Sequence, residues 1–248
     1  MTLFLVFLIG LAGGLLGYLA GVASLITYPG LLLLGFPPVI ANTTNAVSNL
    51  GNSIGATVTG WRGIRTVTSY PLWPQVVVGA VGGTAGAALL LAFDPAVFEG
   101  VVPWLVLLAV VSVLIGPEVR KRGVKARVGY ALFLALLALV GVYGGYFGAA
   151  SAVLYVGLAA VATSMTTHEA LLFKAPVIGT ANLAATVYFL LSGAVDIVAA
   201  LVMAAGGFLG GALGPYLQRF LSERASRAIV AVGGFALFCW LLYQDLVG

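Results

Sequence analysis

Long apolar segments fill almost the whole chain, and they limit its fold more than any other feature. Of the 248 residues, 62% are hydrophobic and only 7% are charged. A helix that crosses a bilayer needs roughly 20 predominantly apolar residues, and helices satisfy their backbone N–H and C=O groups within one segment. The sequence therefore predicts an all-α polytopic membrane protein and leaves no room for a soluble domain.

The chain also contains an internal duplication. Residues 14–31 align with residues 141–158 at an offset of 127, and the shared positions include three glycines, an Ala-Ser pair, a tyrosine and a closing Gly-Leu. A second block places Gly82, Gly83 and Gly86 on Gly206, Gly207 and Gly210. Between the blocks, a shift of two residues pairs Asn45 with Lys174. Three blocks in the same order favour a duplication over chance likeness between glycine-rich helices.

Each half opens with an apolar run that is too long for one straight crossing, at 3–34 and at 129–162. Small residues interrupt both runs, near 20–24 and near 147–151. Three further segments follow in each half, at 42–61, 72–92 and 99–116 and then at 170–191, 196–216 and 226–244. We expect a first transmembrane repeat at 1–116, a basic linker at 117–128 and a second transmembrane repeat at 129–248.

The basic residues favour a broken hairpin over a single long helix in each opening run. With single crossings, the 217–227 loop would face away from the other basic loops. With hairpins that return to their starting side, all ten loop Lys and Arg residues share one side, as the positive-inside rule favours. This predicts inverted repeats in a cell membrane (inner or plasma), with loops 62–71, 117–128 and 217–227 in the cytoplasm.

Lys174 is the only Lys or Arg inside a long apolar segment. A charge at that depth costs about 2.5–3.5 kcal/mol on insertion scales, so it normally faces a partner, a cavity or a ligand. We interpret Lys174 as the anchor for an anion, with Asn182 on the same helical face. Two alternatives stay open: an ammonium that snorkels to the headgroups, and an ion pair with Glu169.

Polar side chains and helix breaks complete the predicted substrate site. Four asparagines, at 42, 45, 49 and 52, share one helical face, where they would line a polar cavity or join helices. Helix starts at the two breaks would present N–H groups to an anion. The predicted substrate-binding residues are Lys174, Asn45, Asn42, Asn49, Ser24, Ser151, Ala23, Ala150, Tyr28, Tyr155 and Asn182.

No motif predicts an enzyme, a metal site or a cofactor. His168 is the only histidine and Cys239 the only cysteine, and no His, Cys or carboxylate cluster has metal-ligand spacing. A proton or a sodium ion is the expected coupling ion. The basic residues lie in short loops, so we expect no nucleic-acid partner, and the glycine stripes suit either a homodimer or packing within one chain.

At several of these motifs the chain resembles the sulfite exporter TauE/SafE family of membrane permeases. The likeness runs along nearly the whole chain and rests on Tyr28-Pro29-Gly30, on residues 35–38, 41–45 and 143–149, on the run from His168 to Lys174, and on the glycines at 206, 207 and 210. It implies transport of sulfite, thiosulfate, sulfoacetate or another organosulfonate. A family glycine triplet is replaced here by Val22, Ala23 and Ser24, which leaves the substrate open.

Together these features predict a secondary-active transporter whose small anion binds near mid-membrane between the repeats. A passive anion channel is the main alternative. A retinal-type photoreceptor would place its Schiff-base lysine on the final helix, whereas two segments follow Lys174. An intramembrane hydrolase would need an activated serine motif, which the sequence does not contain.

Overall fold

The computed structural model describes residues 1–20, 22–122, 128–217 and 223–247, and in these residues all regular secondary structure is helical. Most of the two longest basic loops, at 123–127 and 218–222, lies outside the described residues. The helices are α1 (Thr2–Ala20), α2 (Ser24–Leu33), α3 (Pro38–Ile64), α4 (Leu72–Ala92), α5 (Pro95–Arg122), α6 (Tyr130–Tyr146), α7 (Ser151–Ala162), α8 (Thr167–Ser192), α9 (Ile197–Leu217) and α10 (Glu223–Val247).

Both opening runs fold as broken hairpins, with breaks at the predicted places. In the first hairpin α2 runs back along α1, so that Gly17 lies against Ala23 and Gly30 lies against Ile9. The returning arms have 10 and 12 residues, or about 15 and 18 Å of helix. Neither arm can cross a hydrocarbon core of about 30 Å. Each hairpin therefore turns inside the bundle and returns to its starting end.

Within the described residues, three helices have the length and apolar composition to cross a membrane: α4, residues Pro95–Gly116 of α5, and α8. The chain is a polytopic membrane protein, as its composition predicts. Helix α5 continues to Arg122 and so extends six residues into the predicted 117–128 linker. Glu118 and the basic residues that end α5 are good helix formers, and they continue the helix although Pro117 lies within it.

Helices of the first half pack on helices of the second half along their glycine stripes. Helix α1 packs on α9 of the other half, and α4 packs on α6. Both pairs are parallel and very close: Gly14 lies on Gly207, and Gly82 lies on Gly141. Without side chains at these points the backbones approach each other directly, which favours association where the hydrophobic effect cannot.

Helices that correspond in the two halves lie antiparallel at the centre. Where α3 meets α8, Gly63 lies by Leu172 and Ser53 lies by Gly179. Where α5 meets α10, Gly234 lies by Val110 and Trp104 packs on Phe238. Following these directions along the chain, α3, α5 and α9 end at one end of the bundle, where α4, α6, α8 and α10 begin. We name this the basic end, because the chain carries Arg62, Arg65 and the longer basic loops there.

Candidate functional site

The tips of the two hairpins meet at a cavity of about 410 Å³. Seven of the eleven predicted substrate-binding residues line it: Lys174, Asn49, Ser24, Ser151, Ala23, Ala150 and Asn182. The rest of the lining consists of small and apolar residues and one serine: Gly14, Gly17, Val22, Ser53, Gly148, Ala152, Ala175, Ile178 and Gly211. Both halves contribute to the lining, so the cavity lies between the repeats.

Two helices begin at the cavity wall. Helix α2 starts at Ser24 and α7 starts at Ser151, and no capping side chain bonds to either start. A helix N-terminus carries N–H donors without helical partners and the equivalent of about half a positive charge. The sharp second turn needs left-handed backbone at Gly148 (φ 81°) and at Ala150 (φ 60°). That turn presents the start of α7 to the cavity.

Lys174 joins these helix starts from α8. Its side chain is partly buried and lines the cavity, a position that does not require the ammonium to reach the headgroups. Glu169 is engaged elsewhere, since its Oε2 accepts hydrogen bonds from the N–H (2.6 Å) and hydroxyl (2.9 Å) of Thr166 in a capping box. Because Glu169 and Lys174 are five residues apart in α8, their side chains also point in well-separated directions around the helix. The Glu169 alternative is therefore not favoured.

Asn45 lies behind the cavity wall. It is 1% exposed, and its Oδ1 accepts hydrogen bonds from Thr27 Oγ1 (2.5 Å) and from Asn49 Nδ2 (2.7 Å). Asn49 lines the cavity and also donates toward Ser24 Oγ at 3.4 Å. On this asparagine face, Asn49 therefore faces the cavity, and Asn45 holds Asn49 in place from behind the wall. The side chain of Asn52 lies outside the described residues.

The other three predicted residues are not part of the cavity lining. Asn42 Nδ2 donates to the backbone oxygen of Tyr146 at 2.8 Å, which ties α3 to the second hairpin just before its tip. Tyr155 donates to Gln75 Oε1 at 2.8 Å. Tyr28 is fully buried and packs edge-on against Phe147, with ring centres 5.4 Å apart. Each tyrosine lies one helical turn beyond the serine that lines the cavity.

Ser53 is the polar lining residue that the sequence interpretation missed. The shift that pairs Asn45 with Lys174 also pairs Ser53 with Asn182, which was predicted. Applying the duplication to every predicted residue would have found Ser53. The same shift pairs the predicted Asn49 with Ile178, which also lines the cavity. The apolar lining residue Val22 carries no sequence signal that separates it from the core.

The polar groups available at the cavity are one ammonium, two helix starts, two serine hydroxyls from the turns, Ser53 and the carboxamide of Asn182. The amide nitrogen of Asn49 is turned toward Asn45 and Ser24. In the described part of the chain, no group of three or more His, Cys, Asp or Glu residues could hold a metal ion. His168 is exposed near the start of α8. These groups favour a ligand with several negative oxygens.

Comparisons with known proteins show the family to which the chain belongs. The family model for Sulfite exporter TauE/SafE matches residues 6–241. A probable membrane transporter protein of Haemophilus influenzae is 27% identical over 242 residues, covering 97% of this chain and 94% of the relative. The probable membrane transporter protein YfcA of Escherichia coli is 28% identical, covering 99% and 91%. No solved structure matches the chain.

The chain belongs to the sulfite exporter TauE/SafE family, as its motifs predict. Its relatives are named as probable membrane transporter proteins.

Proposed function

We propose that the protein is a secondary-active transporter of a small anion, most favourably a sulfur-containing one such as sulfite, thiosulfate, sulfoacetate or another organosulfonate. One observation carries this proposal: a single cavity unites Lys174 with the starts of α2 and α7. The ammonium and two helix dipoles supply about two positive charges at the cavity. Such a site replaces the hydration shell of an oxyanion with N–H and O–H donors.

The antiparallel central pairs support an inverted duplication. In transporters built in this way, the substrate lies between the repeats and broken helices provide its ligands. The packing around the cavity is unequal: Gly79 and Gly83 of α4 lie directly on α8, whereas Gly14 and Gly211 of α1 and α9 line the cavity. If the close packing moved to α1 and α9 and the more open packing moved to α4 and α8, the cavity would open to the opposite side of the membrane. We place the basic end in the cytoplasm of a cell with the protein in its inner or plasma membrane.

The proposal is tested by anion binding to purified protein. Sulfite, thiosulfate, sulfate, methanesulfonate, sulfoacetate and acetate are titrated against wild type, Lys174→Ala and Arg62→Ala. We expect one sulfur-anion class to raise the melting temperature of wild type, because a ligand at 100 times its Kd stabilises by about 2.7 kcal/mol. Lys174→Ala should lose this shift. Arg62→Ala should keep it, because Arg62 is a cation outside the cavity lining.

Flux in proteoliposomes distinguishes a transporter from a passive channel. We expect uptake of the bound anion against its own gradient when an inward proton or sodium gradient is imposed, and loss of that uptake in Lys174→Ala. Anion binding that survives in Lys174→Ala would overturn the role of Lys174. Flux that ignores both ion gradients would overturn secondary-active transport and favour the channel.

A further inference from the structure

The carboxamide of Asn49 has only one orientation that its surroundings accept. Its Nδ2 lies 3.0 Å from the backbone oxygen of Asn45 and 2.7 Å from Asn45 Oδ1. A backbone carbonyl can only accept, so the amide nitrogen must face it. Turning Asn49 over would place its oxygen against that carbonyl. The position of Asn45 therefore fixes Asn49 as a donor on this side.

Asn45 is held in the same way. Its Oδ1 accepts from Asn49 and from the Thr27 hydroxyl, and Asn45 and Thr27 are almost completely buried. Turning Asn45 over would bring two amide nitrogens together at 2.7 Å. Thr27 also lies near the carbonyl of Ala23, at 3.1 Å from its Oγ1. This buried group therefore links α3 to the first turn of α2.

The fixed amide determines what Ser24 can do. Asn49 Nδ2 has two protons and three oxygens within reach, so its contact with Ser24 Oγ at 3.4 Å is the long arm of a shared hydrogen bond. This contact places a donor beside Ser24 Oγ and directs a lone pair of that oxygen toward α3. Ser24 Oγ also belongs to a cavity-lining residue at the first position of α2. In the described part of the chain, no hydrogen bond takes the Ser24 proton elsewhere. Among the described residues, the hydroxyl proton of Ser24 therefore has no competing acceptor and is available to a ligand in the cavity.

We propose that Ser24 is a directional hydrogen-bond donor that binds an oxygen of the transported anion, and that Asn49 and Asn45 are positioning residues that orient it. This inference rests on the proposed function and assigns one contact within the site. An oxyanion is the ligand class that such a donor recognises, because all its oxygens accept. The neighbouring start of α2 adds the positive end of its helix dipole on the same side of the ligand.

The corresponding serine of the second half is held differently. Ser151 donates its proton to the backbone oxygen of Gly148 at 3.0 Å. The residue that corresponds to Asn49 is Ile178, which has no polar atom to orient a hydroxyl. Within the described residues, the duplication thus provides two serines at the cavity whose hydroxyls have different partners. In the second half, Lys174 occupies the position that corresponds to Asn45, and its ammonium supplies the positive charge.

A double-mutant cycle tests this assignment. The anion that stabilises wild type in the panel above is titrated against Ser24→Ala, Asn49→Leu and the double variant. Loss of a hydrogen bond to a charged group weakens binding by about ten- to hundredfold, so we expect that loss in Ser24→Ala. Asn49→Leu should weaken binding less, and it should have no further effect in the Ser24→Ala background, because Asn49 acts only through Ser24.

Two controls separate this role from a structural one. Asn182→Leu alters a carboxamide on the other side of the same cavity, and its effect should add to that of Ser24→Ala. Ser24→Thr keeps the hydroxyl and should restore most of the affinity. The melting temperature without ligand shows whether each variant is folded, and Ser24→Gly replaces Ser24→Ala if the latter does not fold.

The outcomes are distinct. Anion binding that is unchanged in both Ser24→Ala and Ser24→Gly would overturn the donor role. Additive losses from Ser24→Ala and Asn49→Leu would overturn the positioning role of Asn49. If no anion in the panel binds even to wild type, the proposed function itself fails, and it fails before the cycle is measured.

Discussion

Ser24 and Ser151 occupy corresponding positions in the two halves, and they line one cavity from opposite hairpins. Each is the first residue of a short helix that follows a turn inside the bundle. The two broken helices therefore provide two positive helix ends at one place. The neighbours of the two serines differ, with Asn49 on one side and Ile178 on the other. The two hairpins correspond to each other, but the residues beside their serines differ, so the site that they form is asymmetric.

The backbone of Ala150 gives a first prediction about stability. Ala150 has φ 60° and ψ 12°, a left-handed conformation that costs a residue with a Cβ roughly 1–2 kcal/mol. Ala150→Gly should therefore raise the free energy of unfolding by about 1 kcal/mol, measured as a higher melting temperature in detergent. Ala152→Gly is the matched control, since position 152 is helical and glycine should cost about 1 kcal/mol there. A lower melting temperature for Ala150→Gly would contradict the assigned turn.

Close packing of α4 on its neighbours gives a second prediction. A Cβ at Gly83 would collide with the backbone oxygen of Ala181, which cannot move as a flexible side chain can. Gly83→Ala should destabilise the protein by about 1–3 kcal/mol or more, because the helices must separate. Gly157→Ala is the control, since a Cβ at Gly157 meets no atom within 4 Å. Equal melting temperatures for the two variants would show that α4 does not approach α8 as described.

Much of the fold was predictable because membrane insertion leaves strong signals. Apolar length set the segments, and clusters of small residues marked both breaks, so α2 begins at Ser24 and α7 begins at Ser151 as expected. The pairing of α1 with α9 was not predictable. A glycine stripe shows which face of a helix is small, but it does not show which other small face will meet it.

The site was predictable to the level of a helical face, but not to a single turn. Asn45 and Asn49 share one face of α3, yet only Asn49 lines the cavity while Asn45 is buried behind it. Tyr28 and Tyr155 follow the cavity-lining serines by four residues and are packed in the core instead. Which of two stacked residues faces a cavity depends on the neighbouring helices, and sequence periodicity does not contain that information.

The two corresponding tyrosines give a third prediction. Tyr155 donates to the buried amide oxygen of Gln75 at 2.8 Å, whereas the buried hydroxyl of Tyr28 has no partner in the described part of the chain. Tyr155→Phe leaves Gln75 unsatisfied and should cost about 1–3 kcal/mol. Tyr28→Phe removes only an unpartnered hydroxyl, so it should be neutral or stabilising. A loss of melting temperature in Tyr28→Phe as large as in Tyr155→Phe would reveal a partner for Tyr28.

The directions of the helices give a fourth prediction, on topology. Thr66 follows α3 and Ser164 precedes α8, and both are exposed at the basic end of the bundle. Ser192 is exposed at the opposite end, where α8 ends. Single cysteines are placed at these positions in a Cys239→Ser background. With the basic end in the cytoplasm, a membrane-impermeant maleimide added to intact cells should label Ser192→Cys alone, and it should label all three after the cells are opened.

The comparison of Thr66→Cys with Ser164→Cys decides between the two chain paths. If each opening run folds as a hairpin, α3 ends and α8 begins at the same side, so both cysteines are protected together in intact cells. If each run crossed the membrane once, the chain would reach these two positions on opposite sides, and one of the two would react from outside. Labelling of both from outside would keep the hairpins but reverse the protein in the membrane, against the positive-inside rule.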